Sequence, residues 1–157
     1  MDIKIDSLQK ELQNSVQDTV YAKLLLQLGK LIGNKGWITN NQSEFARSYD
    51  SYQTAFDLLE DPKTEQLFKS FGESSNLQKS YWSLIANLNF NYGHLMGSTA
   101  NYQECRRYYQ NALRIAKPLN DVLNIVYANT GMAIILLQEN KLDSAAYRVE
   151  EAMLYPP

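Results

Sequence analysis

Residues 91–116 read NYGHLMGSTANYQECRRYYQNALRIA, and this stretch decides the fold. Apolar residues recur at helical spacing on both sides of Gly97-Ser98, which marks the break between two helices. The spacing predicts a first helix from about Leu77 to Met96 and an antiparallel partner from Tyr102 to Lys117, ended by Pro118. Gly93 stands in the first helix; Cys105 and Ala112 stand in the second. Seven residues make about two turns, so the small side chains at 105 and 112 face one way. Three small residues let the helices approach closely, and Tyr92 and Tyr109 have the volume to fill the groove beside them.

The same frame returns on both sides. From Met132 to Met153, Met132-Ala133 take the place of Tyr92-Gly93, Leu142 opens the second helix, and Ala145, Val149 and Ala152 follow. Ala112 and Ala152 lie 40 residues apart. A third copy is expected near the start, with Leu28-Gly29 as the first pair and Phe45, Ser48, Tyr52 and Ala55 in the second helix. In that reading the first helix ends at Gly33, and GNKGWITNNQ is a loop carrying Trp37 in an insertion of about seven residues.

This pattern of a large residue before Gly, then a small residue, an aromatic and an Ala, resembles the tetratricopeptide repeat family. The resemblance covers roughly residues 20–155 and is cleanest from Tyr92 to Ala116. It implies an all-α fold in which antiparallel helical hairpins stack as a short right-handed solenoid of about three irregular repeats, where the ordinary repeat is about 34 residues. The whole chain, 1–157, is then one domain with hairpins at 19–60, 77–117 and 119–155, and a short helix and loop at 61–76. The opening phrase IDSLQKEL, followed by DTVYAKLLLQLGKL, is also similar to the entry of repeat arrays in sensor and regulator proteins of the Bacteroidetes type. That similarity implies a sensory part of a larger bacterial regulator.

The remaining elements follow from local signals. Ile5, Leu8 and Leu12 recur at helical spacing in the first stretch, and Asp18 and Thr19 suit the N-cap of the next helix. Ser43 and Glu44 open a helix whose Phe45, Tyr49, Tyr52, Phe56 and Leu59 share one face. Asp61-Pro62 closes it and opens a short helix over PKTEQLFKSF. A helix from about Asp121 to Gln138 turns at Asn140 and Lys141 into a last one from Leu142 to about Leu154.

Charge and composition exclude several classes of partner. Fifteen basic and 17 acidic residues leave a net charge of -2, without the concentrated basic face that nucleic acid requires. No membrane contact by this region is expected, because the longest apolar run, Met132 to Leu137, is far too short to span a bilayer. The start MDIKIDSLQK has no apolar signal core; the compartment stays open between cytoplasm and a periplasm reached by a removed signal peptide. The lone Cys105 rules out an internal disulfide framework.

Catalytic constellations are hard to build from these residues. His94 is the single histidine, GNKGW lacks the Lys-Ser or Lys-Thr of a phosphate loop, and Glu139, Asp143, Glu150 and Glu151 read as a solvated face. No enzyme activity, metal or cofactor is expected. The family resemblance implies instead a concave groove lined by the first helix of each hairpin. Carried onto this chain, that groove holds Asn87, Phe90, Asn91 and His94 from the central copy, Tyr127, Thr130, Ile134 and Gln138 from the last, and Lys23, Leu26 and Lys30 from the first. Asparagine can donate to and accept from a peptide backbone at once, which suits a protein or peptide partner. The family's carboxylate clamp is disfavoured, since Tyr127 and Gly131 stand where Lys and Arg would be needed. The alternative is self-association: Leu142, Ala145, Ala146, Val149 and Met153 predict either a homodimer through the last helix or a piece of a longer array.

Overall fold

The computed structural model describes residues 1–13, 19–41 and 44–155; the capping residues Asp18 and Ser43 lie outside them. Among the described residues there are eight helices and no strand: α1 (Asp2–Gln13), α2 (Thr19–Asn41), α3 (Phe45–Leu59), α4 (Pro62–Ser70), α5 (Asn76–Ser98), α6 (Tyr102–Leu119), α7 (Val122–Gln138) and α8 (Leu142–Met153). The protein is all-α. It divides into two compact units, Met1–Leu84 and Ile85–Pro157, with the boundary inside α5.

In the N-terminal unit, α2 corrects the reading of its own sequence. It does not stop at Gly33 but continues for two further turns through GNKGWITNN. The glycines are packing residues in a helix, not terminators. A Cβ on Gly36 would lie 2.9 Å from Cε1 of Tyr52 in α3, and one on Gly29 would lie 2.8 Å from Cδ1 of Leu59. Ser48 Oγ donates to the Gly36 carbonyl at 2.6 Å, tying α3 to the same turn. Each helical glycine forfeits about 1 kcal/mol of propensity relative to alanine, which the close approach of α3 offsets.

This shifts the frame of the first hairpin. Gly36, Ser48, Tyr52 and Ala55 repeat the intervals of Gly93, Cys105, Tyr109 and Ala112 without any insertion. Gly36, and not Gly29, is the glycine that meets the tyrosine. Tyr52, Ala55 and Leu59 are buried completely, whereas Phe45 and Tyr49 at the start of the same face are 38% and 39% exposed. Beyond α3, the Asp61 carboxylate accepts from the N–H groups of Lys63 and Thr64, and Pro62 fills the first helical position of α4. Phe68 of α4 stacks on Tyr81 of α5 at 4.3 Å, and the Tyr81 hydroxyl donates to the Leu59 carbonyl at 2.7 Å.

The C-terminal unit is organised by Tyr109. A Cβ on Gly93 of α5 would stand 2.8 Å from one edge of its ring, and a Cβ on Gly131 of α7 would stand 2.5 Å from Cζ. The ring is thus clamped between two glycines from different helices and is 3% exposed. Around it Ala86, Ala112, Leu113, Ala116, Ile125 and Ala128 form a buried cluster, with small residues dominating so that backbones can come close. α7 packs on both α6 and α8. Phe90 and Tyr127 stack between α5 and α7, while Lys117 pairs with Glu151 between α6 and α8 at 2.9 Å.

Three turns of one type join these helices. Ala100, Asn120 and Asn140 take left-handed φ of 58°, 51° and 58° at intervals of twenty residues. In each, the following N–H reaches back to close the preceding helix: Asn101 to Met96, Asp121 to Ala116 and Lys141 to Leu136. Two helices and two such turns account for the 40-residue spacing of Ala112 and Ala152. Two expected ends move as a result. α6 runs past Pro118 to Leu119 and is closed by the left-handed Asn120; α5 runs through Gly97, whose missing Cβ accommodates Cys105 Sγ at 3.2 Å.

Candidate functional site

Residues of α5 and α7 in the C-terminal unit form one mixed apolar and amide surface. Phe90 sits half-buried between Tyr109 and Tyr127, with ring centroids 5.6 and 5.4 Å away. The Tyr127 ring beyond it is 45% exposed. Asn87 and Asn91, one turn apart on α5 with Asn91 directly after Phe90, are half-buried and bonded to each other through Asn91 Nδ2 and Asn87 Oδ1 at 2.9 Å. Asn87 Nδ2 in turn donates to Asn124 Oδ1 at 3.3 Å, and Asn124 donates to the Asp121 carboxylate at 2.7 Å. A ladder of amides therefore crosses from α5 to α7 and ends on the cap of α7. It fixes the orientation of the half-buried Asn87 and Asn91, whose amide groups have donor and acceptor capacity beyond these bonds.

The other expected positions extend this surface. Thr130 and Ile134 are exposed on α7, Ile134 to 52%, and His94 is exposed on α5. Partial desolvation by its neighbours lowers the pKa of the His94 imidazole, so the ring is neutral at physiological pH. Lys30 and Lys23 lie exposed on α2 in the N-terminal unit, and the Leu26 side chain falls outside the described ones. Asn89 does not share the surface: it is buried, and its amide donates to the Ile85 carbonyl.

Sequence reasoning missed two members. Leu123 and Leu137 are 63% and 54% exposed and complete a row with Tyr127, Thr130 and Ile134 along one side of α7. Their spacing of four, three, four and three residues is that of a single helix face. α7 is apolar on nearly every side, so periodicity alone does not tell which side a neighbour leaves open.

The chemistry available here is association, through apolar burial and amide hydrogen bonds. Cys105, beneath the surface, is fully buried, and burial pushes its thiol up to about 11, so it is not a nucleophile near neutral pH. Among the described residues no three His, Cys, Asp or Glu side chains converge as metal ligands. None of their helices is long and apolar enough to cross a membrane. No protein-family model matches the chain, and no curated protein matches it.

The N-terminal unit carries a cleft of about 420 Å³ between α1, α2 and α3. Its floor is Ile5 and Ile32, both buried, and its rim includes Asp2, Asp6, Lys35, Arg47 and Asp50. The rim charges largely satisfy one another or a neighbour: Lys35 bonds Asp2 at 2.8 Å, which holds that carboxyl below its usual pKa, and Arg47 bonds Glu44 at 2.8 Å. No motif marked this cleft, because its walls come from three helices distant in sequence.

Proposed function

We propose that this chain is a protein- or peptide-binding scaffold built on tetratricopeptide-like hairpins, with no catalytic role of its own. Its binding face is the α5–α7 surface. The observation that carries this reading is the row Leu123, Tyr127, Ile134 and Leu137, a group of large apolar side chains left 45% to 63% exposed beside an oriented amide ladder. Apolar anchors supply affinity to a docked segment, and amides supply register along its backbone. The solenoid arrangement is supported by the recurring intervals at Gly36, Gly93 and Ala133 and by the three matching turns.

Selection from a displayed library of random peptides tests the assignment. Recovered peptides should lose binding to Ile134→Asp and Tyr127→Ala variants that keep the parent's circular dichroism. Failure to recover any peptide, or binding indifferent to both substitutions, would overturn it. The role as the sensory part of a larger bacterial regulator rests on the similarity of the N-terminal phrases alone. Self-association is the second reading, supported by the exposed Leu142, Val149 and Met153 of α8, and sedimentation over a concentration series decides it.

A further inference from the structure

The amide ladder of the α5–α7 face has a direction, and one carboxylate sets it. An asparagine amide carries oxygen and NH2 on one flat group that can turn over, so a chain of amides alone could run either way. A carboxylate only accepts. Asp121 therefore decides which end of the Asn124 amide faces it. Asn124 Nδ2 donates to Asp121 Oδ2 at 2.7 Å, while Asp121 Oδ1 takes the Asn124 backbone N–H. Asn124 is 4% exposed, so water offers its amide little alternative. Its Oδ1 is left facing α5, where Asn87 turns Nδ2 to it. Asn87 Oδ1 then meets Asn91, which presents Nδ2 in its turn. The oxygen of Asn91 ends the ladder, and among the described residues none donates to it.

An oxygen so placed selects a donor. Neither α7 nor residues 85–98 of α5 include any Asp, Glu, Lys or Arg. An ammonium docked there would lose its hydration without meeting a counter-charge, since both Asp121 oxygens are already engaged. A backbone N–H is neutral and needs only the acceptor. Within a helix such groups are consumed by the helix's own carbonyls, whereas an extended segment leaves them available. We propose, resting on the peptide-binding reading of this face, that the Asn91 oxygen accepts a backbone N–H of an extended, locally uncharged peptide segment. Asp121 is the positioning residue: through Asn124 and Asn87 it keeps an oxygen, and not an NH2, at that place.

A peptide recovered against the full chain from the displayed library, resynthesised with a fluorescent label, serves as the probe. Methylating its backbone nitrogens one at a time removes each donor in turn. The methylation that faces Asn91 should weaken binding, read by anisotropy, at least about tenfold, or about 1.4 kcal/mol. On Asn91→Leu the same methylation should cost less than about twofold. Asp121→Asn tests the positioning. Asparagine caps a helix as well as aspartate does, so circular dichroism and the urea midpoint should be unchanged. Its NH2 takes the place of Oδ2, and the ladder behind it reverses, ending at Asn91 in NH2. Affinity for the parent peptide should fall about tenfold, and the critical methylation should then cost nothing further. A merely structural cap would leave that sensitivity as it was. A peptide bound through Tyr127 and Ile134 but indifferent to every methylation, or helical when bound, overturns the proposal and leaves the binding face in place. So does methylation sensitivity that persists in Asp121→Asn. Loss on changing a peptide lysine to norleucine, in place of loss on methylation, makes the donor an ammonium and overturns it too. If no peptide is recovered, the proposal falls together with the binding face.

Discussion

Tyr52 and Tyr109 hold the same place in two hairpins, and they are packed with unequal severity. Tyr52 in α3 meets Gly36 of α2, where an added Cβ would stand 2.9 Å from the ring. Tyr109 in α6 meets Gly93 of α5 at 2.8 Å and Gly131 of α7 at 2.5 Å, on approach from two helices. One glycine is what a hairpin needs to close on its tyrosine. A second is what the next helix needs to lie across it.

The sharpest way to break this comparison is Gly131→Ala. The new methyl group would overlap Cζ, Cε2 and the hydroxyl of a ring that burial on all sides keeps from moving away. Alanine's better helix propensity returns about 1 kcal/mol, whereas overpacking in a tight core costs 1–3 kcal/mol and occasionally more. Taking the upper end of that cost, we expect a net loss of about 2 kcal/mol, read from urea unfolding by circular dichroism. Trp37 and Trp82 both lie in the N-terminal unit, so fluorescence would follow the wrong half. Combined with Tyr109→Leu, the loss should be clearly less than additive, because the smaller side chain frees the space that the methyl occupies. Additive losses would mean that the ring and the glycine do not share that space.

Gly36→Ala is the milder counterpart. Its methyl group meets the edge of Tyr52 at 2.9–3.1 Å, so the penalty exceeds the propensity gain by less, and a net loss of about 1 kcal/mol is expected. Here tryptophan fluorescence is a suitable readout, since Trp37 is the next residue. Were residue 36 in a loop, alanine there would be neutral or stabilising. The sign of the change therefore distinguishes the continuous α2 from the loop that GNKGWITNNQ resembles.

That loop shows why part of the fold was legible and part was not. The hairpin around Tyr92-Gly93 can be read because its glycine sits inside a strongly periodic stretch and a separate Gly97-Ser98 signals a break nearby, although α5 runs through both residues. Even so, the turn residue in the left-handed conformation is Ala100, a poor candidate by composition. Around Gly33 and Gly36 the local signal is the same for a helix end and for a helix pressed against another, since both exploit the absent Cβ. Only the distant intervals to Ser48, Tyr52 and Ala55 separate the two, and those were spent on Gly29. The proposed binding face is half legible for a similar reason. Asn87, Phe90, Tyr127 and Ile134 do share one surface, but the partner of Asn87 is Asn124, whose place the sequence does not announce. Leu123 and Leu137 were lost in a helix apolar on nearly every side.

Ser48 and Cys105 extend the comparison to the residue four before each tyrosine. Ser48 is tied to the Gly36 carbonyl, whereas Cys105 lies against Gly97 with its thiol raised to about 11 by burial. A raised acid pKa means that the fold favours the protonated thiol. Its contribution is fully present below the ordinary thiol value of about 9 and is lost as pH rises through about 11. A protein that keeps the thiol should therefore lose stability over that interval relative to Cys105→Ala, which lacks the titrating group. Tyr109, whose hydroxyl pKa is itself raised by burial and by the neighbouring Cys105, is replaced by Phe in both proteins of the comparison, so that only the thiol differs. Below pH 9 the difference should be flat, and alkylation of the native thiol by iodoacetamide at pH 8 should proceed only as fast as the unit opens.

The smallest expected effect concerns the turns that join the helices of the C-terminal unit. Asn120 and Asn140 take the left-handed conformation with a side chain that tolerates it, but Ala100 takes it at φ 58° with one that does not. If the three turns are equivalent, Ala100→Asn should raise stability by about 0.5–1 kcal/mol, since the conformational penalty falls and Ala100 is exposed with little packing to lose. Asn120→Ala and Asn140→Ala should each cost about the same amount. Equal and opposite changes at positions spaced by twenty residues would make the turn, together with the glycine, the repeating element of the C-terminal unit. A neutral Ala100→Asn would instead mark the α5–α6 turn as different in kind, and the regular spacing would then belong to α6, α7 and α8 alone.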